Sequence, residues 1–318
     1  MKKIFALLLA VLMVVSMMAG CSKKEEKGST LVYGSGDYDS INPIMNEHCE
    51  IKHLLFDSLV KLDKNGDPVA SLAQSWSYDE ATMSYTFKLR GDVKWHDGEK
   101  FTADDVKFTI EAIMDPNNGS ENYPNYVEVS SIDVVSDTEI VFTLSEPNYA
   151  FLEYMTMSIL PQHKLEGEDM WESDYFKNPV GTGPYKLSSW DVGQAITMVK
   201  NEDYFAGAAK IDTVIFKIVT DDNAKALQLK EGALDLAQVT PKDAQNFKDS
   251  ENLTIYDMAT ADYRGILYNF WNEYWQVNGD LIPAISYCID RQAIVDAVLL
   301  GEGFVAYSPI QLNEYNYD

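Results

Sequence analysis

The sequence predicts a mixed α/β protein with a strand-rich insertion, and three observations carry that expectation. Met83-Ser84-Tyr85-Thr86-Phe87-Lys88-Leu89-Arg90 alternates apolar and polar residues without a fault, the period of a half-buried strand. Thr102-Ala103-Asp104-Asp105 has the form of a capping box and opens a helix whose Val106, Ile110, Ile113 and Met114 share a face. From Pro184 onward, short strands and helices mix in a different rhythm, as in an α/β layer.

Taken in order, the chain opens with Lys2 and Lys3, an apolar run from Ile4 to Met18, and the small pair Ala19-Gly20 before Cys21. The run is too short to span a bilayer and reads as an export signal. Met18-Ala19-Gly20-Cys21 resembles the lipobox of bacterial lipoproteins, which implies that Cys21 carries a lipid anchor at the cell membrane's extracytoplasmic face. Residues 1–20 are then the signal peptide and 21–28 a charged tether that needs no fold.

Leu31-Val32-Tyr33 reads as a first strand, followed by Gly34-Ser35-Gly36-Asp37, a loop of strong turn residues. Asn46 to Leu59 reads as a helix and Lys64 to Pro68 as a turn. Gly91-Asp92 is expected to turn the alternating strand back into Val93-Lys94-Trp95-His96 as a hairpin. Val127 to Val135 and Thr138 to Leu144 form a further strand pair. Tyr185 to Trp190, Ala195 to Val199, Thr213 to Val219, Leu253 to Met258 and Gly265 to Phe270 read as strands, with a short one at Leu234 to Ala237. Asp221 to Glu231, a segment from Thr240-Pro241, Pro283 to Ile289 and Gln292 to Leu300 read as helices.

Composition narrows the function. The 318 residues carry 50 Asp and Glu against 25 Lys and Arg, a formal net charge of −25. Such a chain repels nucleic acid and anionic lipid. Beyond Cys21, the cysteines are Cys49 and Cys288, expected as separate buried thiols. His48, Cys49, Glu50 and His53 offer metal-ligating types, but His48 and His53 point apart on a helix, so a helix face with chance ligands is the expectation. His96-Asp97 reads as a solvated pair beside a turn, and His163 as a loop residue without a partner. Gly181-Thr182-Gly183-Pro184 is a structural turn, because Pro184 lacks an N–H and a strand follows where a phosphate loop needs a helix. No nucleophile motif or zinc signature is present; catalysis and cofactors are not expected.

Leu72 to Trp76, Tyr85 to Arg90, Val93 to Gly98 and Phe101 to Val106 together resemble the signature block of the family 5 extracellular solute-binding proteins. These are the oligopeptide and dipeptide binding proteins of ABC importers. Asn178 to Leu187, continuing through Asn201 to Phe205, and then Ala284 to Val295 extend the resemblance in family order. The resemblance implies a two-lobe periplasmic-binding-protein fold with a strand-rich insertion and an incomplete second lobe. Residues 29–47 and 165–260 would be the first lobe, 48–164 its insertion, and 261–318 the start of a truncated second lobe. It also implies a monomer that captures peptides and delivers them to a membrane permease. Nickel, haem or oligosaccharide ligands, a peptide-signal receptor and, more distantly, an exported hydrolase stay open.

In an open α/β sheet, ligands bind beyond the carboxyl ends of the strands, which points to Gly34, Ser35, Gly36 and Asp37. Asp37 reads either as a receptor for a peptide ammonium group or as a turn-capping residue. Tyr263, Arg264 and Asn269 are the candidates in the second lobe, Asn269 by its match to a family position. Arg264 holds either a ligand carboxylate or a surface salt bridge.

Overall fold

The computed structural model describes residues 28–45, 50–258 and 263–308, and the chain divides into one unit ending at Ile218 and another beginning at Val219. Cys21, His48 and Cys49 lie outside the described residues. The first unit begins with β1 (Thr30–Ser35), α1 (Lys52–Leu55), β2 (Val60–Leu62), β3 (Pro68–Ala70), β4 (Ala73–Asp79) and β5 (Ser84–Leu89). Then come α2 (Ala103–Met114), β6 (Val129–Ser136), β7 (Glu139–Leu144), α3 (Phe151–Tyr154) and α4 (Gln162–Leu165). It closes with β8 (Tyr185–Asp191), β9 (Ala195–Lys200) and β10 (Thr213–Ile218). The second unit holds α5 (Asp222–Lys230), β11 (Leu236–Ala237), α6 (Pro241–Gln245), α7 (Glu273–Val277), α8 (Leu281–Tyr287) and α9 (Arg291–Val298).

Two sheets dominate the first unit. In one, β1 runs parallel to β10, and β10, β9 and β8 follow as antiparallel neighbours. Tyr33, Phe216, Ile196 and Trp190 stand in register across one face, and the rings of Tyr33 and Phe216 meet edge to face at 5.0 Å. The other sheet is antiparallel in the order β4-β5-β7-β6. The alternation predicted for β5 appears as burial of Tyr85, Phe87 and Leu89 between more exposed neighbours. Phe142 and Ile140 of β7 face Tyr85 and Phe87 in register, and Val106, Ile110 and Ile113 of α2 join the same core.

The capping box of α2 forms as the sequence predicts. Asp105 accepts from the Thr102 N–H at 2.9 Å, from the Gln162 N–H at 3.0 Å and from the Trp95 indole N–H at 3.2 Å. Burial raises the Asp105 pKa, and these three donors oppose that.

Several expectations are corrected. The partner of β5 after the turn is not Val93–His96: β5 pairs with β4 and β7. Val93 to Trp95 folds onto Glu99 to Phe101 around Asp97-Gly98, where Gly98 takes φ +97°. Alternation reports a half-buried extended segment, and Val93 and Trp95 are buried, but it does not choose the neighbour. The helix expected to Leu59 ends at Leu55, and beyond it the Asp57 N–H bonds to the Thr182 hydroxyl at 3.1 Å. Leu253–Met258 and Gly265–Phe270 are not strands. Tyr256, Met258, Ile266 and Leu267 in them are exposed, so among the described residues no sheet buries one face of that alternation. Cys288 is exposed, not buried.

In the second unit, α5 begins at the Asp221 cap and ends before Gly232, which takes φ +71°. Asp290 caps α9 by accepting from the Ala293 N–H at 2.9 Å. Of the apolar residues from Tyr263 to Tyr307, Val295 is buried, while Trp271, Tyr287, Val298 and Phe304 stand mostly exposed.

Candidate ligand site and the signature joint

Gly34 and Ser35 end β1 and are buried, whereas Gly36 and Asp37 are exposed in the loop beyond. The β8–β9 turn adjoins the same end of the sheet: the Ile218 N–H donates to the Gln194 carbonyl at 2.8 Å. Gly193 in that turn lies beside the Asp37 carboxylate. A β-carbon on Gly36 would meet nothing within 4 Å, so the loop is open to an approaching backbone.

Ser35 was a candidate for its position alone, and its chemistry comes from residues that sequence reasoning missed. Its hydroxyl lies 3.1 Å from the Tyr38 hydroxyl, which donates to Glu50 Oε2 at 2.7 Å. Tyr33 lies close enough to feel the Glu50 charge: burial first, then Glu50, raises its pKa. A carboxylate thus stands beside the strand end, oriented by one tyrosine hydroxyl, with the Asp37 carboxylate in the adjoining loop. The Asp37 Oδ1 accepts from the Tyr38 N–H at 2.9 Å, which leaves its other oxygen for a donor. The arrangement suits a cationic or N–H-bearing group. His53, on α1, has a lowered pKa through burial and then Lys52 and Lys61.

Tyr263, Arg264 and Asn269 belong to the second unit and are exposed on a segment outside any helix or strand. Asn269 Oδ1 accepts from the Trp271 N–H at 3.0 Å and so shapes the turn into α7. The two sets of candidates therefore stand in separate units.

The residues that carry the resemblance do something else. Those of the first unit at 90–98, 178–187 and 201–205 form a joint between the strand-rich block and the β1–β10 sheet. Gly183 donates its N–H to the Leu55 carbonyl at 2.9 Å. A β-carbon on Gly181 would lie 1.7 Å from that same oxygen, and one on Gly183 would lie 2.4 Å from the Leu54 carbonyl oxygen. Glycine is required here by close backbone approach, which supports the structural-turn reading. Between them, the Thr182 hydroxyl donates to Asp57 Oδ2 at 3.2 Å. The buried Asp57 also takes the Lys61 ammonium at 2.6 Å and the Tyr204 hydroxyl at 2.9 Å. Burial and then Asp57 push the Tyr204 hydroxyl well above its usual pKa. Arg90 lies 4.9 Å over the Phe205 ring, next in sequence, as a cation–π contact.

His96 is not a solvated surface residue. Its backbone N–H donates to the Gly181 carbonyl at 2.8 Å, its ring Nδ1 accepts from the Gly181 N–H at 3.1 Å, and its ring Nε2 lies 3.0 Å from the Gly183 carbonyl. Nor does His163 lack a partner. It sits on α4 with Nε2 2.9 Å from Asp97 Oδ2, and Lys164 reaches the same oxygen at 3.0 Å. Burial would raise the Asp97 pKa, but the bonds from His163, Lys164 and the Glu99 N–H outweigh it and lower it to about 2.

Solved structures with this arrangement are two-lobe periplasmic binding proteins. The chain belongs to the bacterial extracellular solute-binding proteins of family 5, whose middle-region model matches residues 67–318. The oligopeptide-binding protein AppA of Bacillus subtilis is 31% identical, over 99% of this chain and 62% of its own length. Its structure with a nonapeptide matches at TM-score 0.82 over 92% of this chain and 60% of that one. NikZ from Campylobacter jejuni, solved with Ni(L-His), matches at TM-score 0.83 and 34% identity, over 89% and 57%. DppA from Helicobacter pylori, solved with the peptide STSA, matches at TM-score 0.73 and 26% identity, over 88% and 60%. The chain thus spans about three-fifths of these relatives.

Proposed function

We propose that this protein captures peptides outside the cytoplasmic membrane and hands them to an ABC permease, anchored by lipid on Cys21. The observation that carries the reading is the match of about nine-tenths of the chain to two solved relatives holding peptides, the nonapeptide of AppA and STSA of DppA. Family membership supports substrate binding as the role, and we extend it to binding without catalysis, by a monomer. On this reading 29–47 and 165–260 serve as the first lobe, 48–164 as its insertion, and 261–318 begin the second. Gly34, Ser35, Gly36 and Asp37 meet the ligand from the first lobe, with Tyr38 and Glu50 behind them. Tyr263, Arg264 and Asn269 are the ligand candidates of the second. Extended peptides suit such a cleft, because strand ends and loops bond a common backbone while hydrated pockets admit varied side chains.

The test is native mass spectrometry of the purified full-length protein offered a mixed peptide library, nickel–histidine and oligosaccharides together. The reading predicts retained peptide, recovered intact after long incubation. Retention of nickel–histidine alone would favour the second reading, motivated by the NikZ match; retained sugar or cleaved peptide would overturn the first. For the anchor, Cys21→Ser is expected to release the protein from membranes or leave an unprocessed precursor, read by detergent partition. Mature lipoprotein behaviour in that variant would refute it.

A further inference from the structure

The geometry points to a further role: His96 is an acid-sensitive latch that ties the strand-rich block to the turn entering β8, and it holds only while the imidazole is neutral. The Gly181 N–H points at Nδ1 from 3.1 Å, so Nδ1 must present a lone pair. The Gly183 carbonyl lies 3.0 Å from Nε2, so that nitrogen must carry the proton. One tautomer of the neutral ring satisfies both glycines, and the imidazolium cannot. A second proton on Nδ1 would face the Gly181 N–H donor to donor, in a part-buried site.

The turn has little freedom to yield. Gly181 and Gly183 lie against the Leu54 and Leu55 carbonyls more closely than any β-carbon would allow, and Thr182 between them is bound to Asp57 on both its donor and acceptor sides. Protonation would therefore break the latch bond before it moved the turn as a whole. The charged groups acting on the ring are few. Lys186, whose ammonium reaches the His96 carbonyl at 3.4 Å, opposes protonation, while Asp57 and Asp97 favour it. His53 on the adjacent α1 answers instead to Lys52, Lys61 and Glu50. Burial is the largest influence and takes the His96 pKa down to about 4, with the Gly183 bond opposing it. The latch thus stays shut through neutral and mildly acid conditions and opens as the pH approaches 4.

Two measurements on the full-length protein test this. Nitrogen-15 and carbon-13 NMR of the wild-type imidazole should show the Nε2–H neutral tautomer from pH 7 down to about pH 5. Amide hydrogen exchange should show the protection factor of Gly181 falling at least tenfold between pH 7 and pH 4, while that of Gly183, whose N–H donates to the Leu55 carbonyl, stays level. In His96→Gln, whose amide offers an acceptor and a donor without titrating, the Gly181 protection factor should stay level over that range. A wild-type ring titrating near its ordinary pKa with Gly181 still protected would overturn the latch. So would the same loss of protection in His96→Gln. If that variant does not fold, the wild-type tautomer and titration decide alone.

Discussion

Replacing Gly181 with alanine tests whether the joint is as tightly closed as its geometry requires. The added β-carbon would lie 1.7 Å from the Leu55 carbonyl oxygen and 2.6 Å from its carbon. Both are backbone atoms at the end of α1, so relief needs about 1 Å or more of backbone displacement, since β-carbon contacts below ~3 Å are essentially never tolerated. That displacement would strain the Gly183 N–H bond to Leu55 at 2.9 Å and the two bonds that Gly181 exchanges with His96. Overpacking costs about 1–3 kcal/mol, and each lost hydrogen bond adds about 1 kcal/mol. We expect a loss of roughly 4 kcal/mol, seen in urea unfolding as a lower midpoint, and a Tm drop on the order of 10 °C. Gly91→Ala is the control, because its β-carbon would meet a Thr138 methyl group at an ordinary 3.6 Å; a change within about 0.5 kcal/mol is expected. A Gly181→Ala loss below about 1 kcal/mol would refute the close-approach argument.

Asp57→Asn should cost about 2 kcal/mol by denaturant unfolding, because it removes the charge that holds Lys61 and Tyr204; Tyr204→Phe should cost about 1 kcal/mol, and additive effects in the double variant would show that the two do not share a network. Asp97 has a folded-state pKa of about 2 against an ordinary 3.8, so its contribution is present above 3.8 and lost as the pH falls toward 2. Solvent screening reduces that contribution to roughly 1 kcal/mol, and His163→Ala should shrink it; unfolding curves at pH 4.5 and 2.5 that shift identically in the variant and the wild type would contradict the assignment. Asp105→Ala removes the acceptor for three donors and is expected to cost about 2–3 kcal/mol in the same assay; a negligible change would mean that those donors find water.

Local chemistry was legible in the sequence. The period of two in Tyr85, Phe87 and Leu89 gave a strand and its buried face, and Thr102 with Asp105 gave the start of α2. What alternation cannot report is which strand lies alongside, so β5 was assigned to the wrong neighbour while β7, from much later in the chain, takes the place. The misreading of His96 has the same origin. A polar residue beside a turn is usually solvated, and its real partners, Gly181 and Gly183, come from a distant segment. The glycines flanking Thr182 were the available signal, since closely spaced small residues often mark backbone approach. At the strand end, turn chemistry marks Gly36 and Asp37 as loop, whereas Gly34 and Ser35, expected in the same loop, close β1 itself. Tyr38 carries no sequence signal of its own, and Glu50 stands in the sequence among metal-ligating types, whereas in the fold it accepts from the Tyr38 hydroxyl. In the second unit, apolar periodicity in Leu253–Met258 and Gly265–Phe270 suggests strands, but among the described residues no layer buries side chains such as Leu267, which is 95% exposed.

On the proposed function, peptide binds at the strand ends, while the signature residues around His96 and Gly181 hold the fold. Hydrogen exchange of the full-length protein, followed by mass spectrometry with and without a saturating peptide pool, tests both halves. Slower exchange with peptide is expected at 34–38 and at 263–269, and unchanged exchange at 95–98 and 181–184. Protection confined to the His96–Gly181 segments, or none at the strand ends with peptide demonstrably bound, would contradict it.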